Sequence, residues 1–298
     1  YITNQGGTVS VIDTATNRIT ATIGGFTNPV GVAVSPDGTR AYVTNLNSTV
    51  LVIDTATNAI TATISGFTNP VGVAVSPDGT RAYITNYFAT TVSVIDTATN
   101  TITATIGVGT DPIGVAVSPD GTRAYITNEG GDTVSVIDTA TNRITATTGG
   151  FNLPDGVAVS PDSTRVYITN RGGASVSVLD TTTNTITATI GGFTDPTGVA
   201  VSPDGTRAYI TNRGGTSVSV LDTATNTITA TIGGFTTPDG VAVSPDGTRA
   251  YITNLGSTSV SVIDTATGAG GAGGAGGAGG AVGDGGKGGA GGVGAAGP

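Results

Sequence analysis

The chain of 298 residues carries a net charge of −9 and contains no Cys, His, Met or Trp. That inventory removes disulfides, thiolate nucleophiles, imidazole bases and the softer metal ligands. The acidic balance, with no basic run, disfavours nucleic acid and anionic membranes, and no apolar stretch reaches the roughly 18–20 residues of a membrane span.

Tyr-x-Thr-Asn recurs seven times, beginning at Tyr1, Tyr42, Tyr83, Tyr125, Tyr167, Tyr209 and Tyr251, a period of 41 or 42 residues. A fixed period in this range marks stacked supersecondary units, and about 40–45 residues is the length of one four-stranded propeller blade. The first complete unit runs over residues 30–64. Val30-Gly-Val-Ala-Val-Ser35 is followed by Arg40-Ala-Tyr-Val-Thr-Asn45, Thr49-Val-Leu-Val-Ile-Asp54 and Ala59-Ile-Thr-Ala-Thr-Ile64. Each run is short, rich in β-branched residues and bounded by turn residues, so each reads as a strand. The first alternates bulky with small side chains, which suits an innermost strand crowded near an axis. The last alternates Ile or Ala with Thr, which suits an outer, half-solvated strand.

Two hairpins recur with fixed sequence. Ser-Pro-Asp-Gly-Thr presets φ with Pro and supplies positive φ with Gly. In the copy at Ser160 the Gly is replaced by Ser163, a change worth about 1 kcal/mol if that position needs positive φ. Asp-Thr-Ala-Thr-Asn offers an Asp to nearby backbone N–H groups and an Asn tolerant of left-handed φ. The Arg that ends the first hairpin, as at Arg40 and Arg81, is expected to pair with an Asp of the neighbouring blade.

Together, Val-Ile-Asp-Thr-Ala-Thr-Asn, Pro-x-Gly-Val-Ala-Val-Ser-Pro-Asp-Gly-Thr-Arg and Tyr-x-Thr-Asn resemble the YVTN β-propeller repeat family over residues 1–267. The resemblance implies an all-β ring of four-stranded antiparallel blades, usually seven. It implies no single activity, since members resemble cell-surface proteins, lyases, lactonases and nucleic-acid binders. The lack of His counts against a lactonase or a His-dependent lyase. Six inner strands, seven second, seven third and six outer strands make 26. Seven blades are favoured, with the first and last incomplete at three strands each. The alternative is a six-bladed ring closed by residues 18–23 on the last blade. The missing inner strand is expected upstream of Tyr1, because the chain opens in mid-repeat without an initiator Met.

From Gly268 the composition changes, and Gly takes every third position to 292. Residues 268–298 form a Gly-Gly-Ala-rich low-complexity tail that reads as a flexible linker or as a laterally packing threefold helix. Its triplets resemble the Gly-rich domain of mycobacterial PE-PGRS proteins, which implies cell-envelope or surface exposure.

Positions identical in every blade answer to a need shared by every blade, which is packing, so functional asymmetry belongs where the blades differ. Two loops differ. One links the second and third strands: Gln5-Gly-Gly, Leu46-Asn-Ser, Tyr87-Phe-Ala-Thr, Glu129-Gly-Gly-Asp, Arg171-Gly-Gly-Ala, Arg213-Gly-Gly-Thr and Leu255-Gly-Ser-Thr. The other enters the inner strand, near Asn28, Asn69, Asp111, Asn152, Asp195 and Thr237. In an up-and-down blade both emerge on one face of the disc, the place for a ligand. The candidate ligand-face residues are Tyr87, Phe88, Asp111, Glu129, Asp132, Asp155, Arg171, Asp195, Arg213 and Asp239, weighed against the reading that they are ordinary solvated loop residues. Phe26, Phe67, Phe151, Phe193 and Phe235 recur at one place and are expected to plug the blade junctions. No catalytic residue, cofactor or metal is expected. Calcium is the one ion the inventory allows, and no Asp-x-Asp-x-Asp cluster is present.

The function favoured is a non-enzymatic, surface- or envelope-associated interaction module. It would be a monomeric disc whose variable loops meet a protein or glycan, at the cell surface, in the envelope or secreted. The alternatives are a structural repeat protein without a specific ligand and, less favoured, a hydrolase or lyase using Asp carboxylates at the channel mouth.

Overall fold

The computed structural model describes residues 1–268 and 270–272. Seven antiparallel sheets follow one another in chain order, each built from consecutive strands. Blade 3 is typical: Pro70–Val75 is innermost, then Arg81–Asn86, Thr91–Asp96 and Thr101–Gly107 outermost. From blade 2 to blade 7 successive inner strands pack on one another. There the backbones approach so closely that a Cβ on Gly72 would lie 2.3 Å from the Ile113 carbonyl oxygen. The invariant Gly of the inner strand is therefore a close-approach residue, and the strand is irregular there, its register shifting between Pro70 and Val73.

The molecule is a seven-bladed β-propeller. Strand Arg18–Gly24 pairs with Thr8–Asp13 of its own blade, which disposes of the six-bladed closure. Blade 1 has three strands, as expected. Blade 7 differs from expectation: a fourth strand, Gly270–Ala272, pairs with Ser259–Asp264, matching Ile263 to Gly270 and Ser261 to Ala272. The described strands number 27, not 26. The physical reason is the turn. Asp264-Thr-Ala-Thr-Gly268 keeps the second hairpin, with Gly268 at φ 68° where the other copies have Asn, as at Asn58 with φ 54°. The chain is turned back and its first Gly-rich residues take the outer place. The linker and threefold-helix readings of the rest of the tail lie outside the described residues.

The repeated residues hold blade to blade. The tetrad Tyr is fully buried in blades 2–4. The tetrad Thr donates its hydroxyl to the next inner strand, Thr44 to the Val71 carbonyl at 2.7 Å and Thr127 to that of Asp155 at 2.6 Å, each bond contributing about 1 kcal/mol net. The tetrad Asn ties the second strand to the third strand and to the loop that enters the inner strand. In blade 3 the Asn86 amide donates to Thr91 and Ser93, and its oxygen accepts from the Thr68 N–H. Phe26, Phe67, Phe151, Phe193 and Phe235 are 5–7% exposed in the core between blades; Val108 packs at the remaining such place. The hairpin Arg does not pair with the neighbouring Asp. Its guanidinium donates to the Thr carbonyl just after that Asp, as from Arg40 to Thr97 and from Arg81 to Thr139. Arg249 makes the same contact to Thr14 and so joins blade 7 to blade 1.

Candidate functional site

In blades 2–7 the two variable loops are hydrogen-bonded to one another. The N–H of Leu46 donates to the carbonyl of Asn28, Tyr87 to Asn69, Glu129 to Asp111, Arg171 to Leu153, Arg213 to Asp195 and Leu255 to Thr237. They therefore share one face of the disc. The carbonyl partners sit at the left-handed turn before each inner strand, with φ between 48° and 51°. In blade 5 that residue is Leu153, one position beyond the Asn152 expected from sequence. A leucine at φ 48° is disfavoured, and this one is 38% exposed.

At the heart of this face a polar chain crosses four blades, 3 to 6. The Tyr87 hydroxyl donates to Glu129 Oε2 at 3.0 Å. Glu129 Oε1 pairs with the Arg171 guanidinium. Arg171 Nη1 lies 3.7 Å from Asp155 Oδ2, and its Nε lies 3.8 Å from Asp195 Oδ1. Glu129 is 5% exposed and Asp155 is fully buried. Burial pulls the Arg171 guanidinium towards neutrality, but the carboxylates of Glu129, Asp155 and Asp195 outweigh it and hold the pKa above the usual value. Burial, then the bond to Glu129 and its negative charge, push the Tyr87 hydroxyl up to about 12.

The remaining predicted residues are placed as follows. Phe88 stacks edge-on against Tyr87 with ring centroids 4.8 Å apart, and is 70% exposed. Asp111 and Asp195 are the turn residues of blades 4 and 6. Asp132 accepts the Leu153 N–H at 2.8 Å. Asp239 is the second residue of the inner strand of blade 7 and is 1% exposed. Arg213 follows the tetrad of blade 6, one blade on from Arg171.

Sequence reasoning missed the other half of the mouth. Val30, Val71 and Ile113, the second residues of the inner strands of blades 2–4, form one apolar cluster with Leu46 and Tyr87 packed on it. In blades 5–7 the same position holds Asp155, Thr197 and Asp239, all buried. The channel mouth is thus apolar on one side and charged on the other. Clefts on the opposite face, with volumes of about 700 and 490 Å³, are lined by Ser-Pro-Asp turns with Arg40 and Tyr42 in one and Arg207 and Tyr209 in the other. They repeat one kind of blade junction and follow from its packing.

Among the described residues no group of three or more Asp and Glu is arranged to hold a metal ion, and no helix is long and apolar enough to cross a membrane.

No family model matches the chain, and no curated protein is similar to it. Among solved structures, a functionally unknown protein from Desulfotomaculum acetoxidans DSM 771 is similar with a TM-score of 0.84, 20% identity and 96% of each chain covered. Kuenenia stuttgartiensis hydrazine synthase is similar with a TM-score of 0.73 and 24% identity, covering 80% of this chain and 76% of that one. Likeness at these identities establishes the fold alone.

Proposed function

We propose that the protein is a non-enzymatic interaction module whose variable-loop face meets a macromolecular partner, displayed at the cell surface or in the envelope. One observation carries this reading. A chain that repeats its packing residues blade after blade departs from repetition at one end of the channel, where Val30, Val71 and Ile113 face Asp155, Thr197 and Asp239. Packing does not require the departure, because the same backbone position accepts Val or Ile in three blades. Charged side chains held by cross-blade pairs, rather than a lone carboxylate in a cleft, favour recognition over acid–base chemistry. The Gly-rich segment, with its likeness to PE-PGRS triplets, supports the envelope placement.

The test has two arms. Trypsin applied to intact producer cells is expected to release peptides ending at the regularly spaced arginines; peptides seen only after lysis would remove the surface placement. A disc whose variable loops are all exchanged for one consensus loop is expected to melt like the parent yet lose retention on envelope preparations. Unchanged retention would favour a structural repeat protein without a specific ligand.

A further inference from the structure

In blades 2–6 the inner-strand Ala packs on the next blade, Ala33 beside Val73 and Val75 and Ala200 beside Val241. These Ala residues are at most 6% exposed, whereas their counterpart in blade 7, Ala242, is exposed. Tyr251 is half-buried where the tetrad Tyr of blades 2–6 is at most 1% exposed, and Val260 and Val262 are half-buried where Val50 and Val52 are fully buried. On the far side of blade 1, Val32 is half-buried where Val73 and Val115 are fully buried. Among the described residues blade 1 has no inner strand to cover these groups, and the edge of Ile2–Asn4 is open to one. We infer that this place is a slot for a single β-strand, and that residues 291–295 of the Gly-rich segment enter it.

The slot sets the chemistry of its strand. In blades 2–7 the tetrad Thr hydroxyl accepts the N–H of the inner Gly at 2.7–2.8 Å. Thr3 donates to the Val30 carbonyl at 2.7 Å, but among the described residues no Gly N–H reaches it. Elsewhere the same hydroxyl donates to the residue before the next inner Gly, as from Thr44 to Val71. Among the described residues Thr253 reaches only the carbonyl of its own Gly240, at 3.5 Å. Thr3 and Thr253 thus offer an acceptor and a donor to one residue-Gly pair between them. A Cβ on Gly31 would lie 2.5 Å from the Val71 carbonyl oxygen, so the equivalent residue of blade 1, set against the Val30 carbonyl, has to be Gly. Tyr42 packs with Val73, so Tyr251 calls for Val directly after that Gly. Within residues 273–298 Gly-Val occurs once, at Gly292-Val293. Blade 2 covers the path from outer strand to next inner Gly between Ala62 and Gly72, so the chain beyond Ala272 is long enough to make the same crossing, and extra loop length costs little.

The chain has no Cys, so an engineered pair reports without background. Val32 pairs with Val43 in blade 2; the same register sets Val293 opposite Ile2, within disulfide reach. Full-length Ile2→Cys/Val293→Cys is oxidised in dilute solution and digested with trypsin. Mass spectrometry is expected to find residues 1–18 linked to residues 288–298 within one chain, in at least about fivefold greater yield than the link formed by Ile2→Cys/Val282→Cys. Gly292→Val, which sets a side chain against the Val30 carbonyl, is expected to remove that preference. In the chain without cysteines it is expected to speed amide exchange at Ile2–Asn4, read by NMR, about tenfold or more, while Ala290→Val leaves the exchange unchanged. Equal yields from the two cysteine pairs overturn the proposal. Disulfide-linked dimers give the slot to a second copy and overturn the assignment to the chain's own segment. Protection at Ile2–Asn4 that survives Gly292→Val means that another strand fills the slot, and overturns it as well.

Discussion

The two faces of the disc spend their carboxylates in opposite ways. On the fixed-hairpin face every Asp is served by its own turn. Asp96 accepts from the backbone and hydroxyl of Thr99, both at 2.8 Å, and Asp78 accepts from Ser76 at 2.5 Å. On the variable-loop face Glu129, Asp155 and Asp195 converge from separate elements on one arginine of blade 5. Locally satisfied acids can be copied from blade to blade because each turn is self-contained. Acids that depend on a partner in another blade are specific to one place in the ring. The first kind builds the disc, and the second distinguishes one part of it from the rest.

The largest effect expected from this contrast is acid unfolding. Turn hydrogen bonds hold the hairpin Asp carboxyls below the usual carboxylate range, Asp246 at about 2. A depressed folded pKa stabilises fully above the unfolded value of about 3.9 and is lost as pH falls through the folded one. Melting temperature is therefore expected to fall steeply between about pH 4 and about pH 2. A flat profile in that window would break the fixed-face half of the comparison.

Arg171→Met comes next. It leaves Glu129 and Asp155 without their shared cation, and removing one partner from a buried pair costs about 3 kcal/mol or more. Urea unfolding measures it; a loss no larger than that of an exposed substitution would mean the cross-blade carboxylates need no partner.

Smaller gains are expected from relieving backbone strain on each face. Ser163 at φ 60° stands where the fixed hairpin otherwise has Gly, and Leu153 at φ 48° stands where the variable turn has Asn or Asp in four copies. Ser163→Gly and Leu153→Asn should each raise stability by up to about 1 kcal/mol. A gain from Ser163→Gly with none from Leu153→Asn would show that the leucine recovers its strain through contacts on the ligand face.

The smallest effect is spectroscopic. Difference tyrosinate absorbance between the parent and Tyr87→Phe should show Tyr87 ionising near 12, with its stabilising contribution present below about pH 10 and fading as pH rises towards 12. Glu129→Gln should bring the transition down but not back to 10, because burial is the larger cause. Ionisation near 10 in the parent would place Tyr87 in solvent.

The ring was legible because its signals are local and repeated. Tyr-x-Thr-Asn, the two hairpins and the inner Gly each serve the same contact in blade after blade. The outer strand of blade 7 was misread because composition changes at Gly268, yet Gly268 is the left-handed residue that completes the hairpin. The shared face followed from strand parity alone. The apolar half of the mouth did not, because a search among charged and aromatic side chains passes over Val30, Val71 and Ile113. Their signal was the contrast of that column with Asp155, Thr197 and Asp239. Pairing across blades was also beyond sequence: the hairpin arginines meet Thr carbonyls, and Arg171 gathers carboxylates from both sides.

Thermal unfolding of the double variant Asp155→Val/Asp239→Val tests most directly the claim that the packing of the disc does not require these carboxylates. Arg171 keeps Glu129 and Asp195 in that variant, and Val already occupies the same position at Val30 and Val71. Replacing buried charge by a fitting apolar residue is commonly neutral or stabilising, so an unchanged or higher melting temperature is predicted. A drop as large as that of Arg171→Met would show that the acids of the mouth hold the disc together, and would contradict the account.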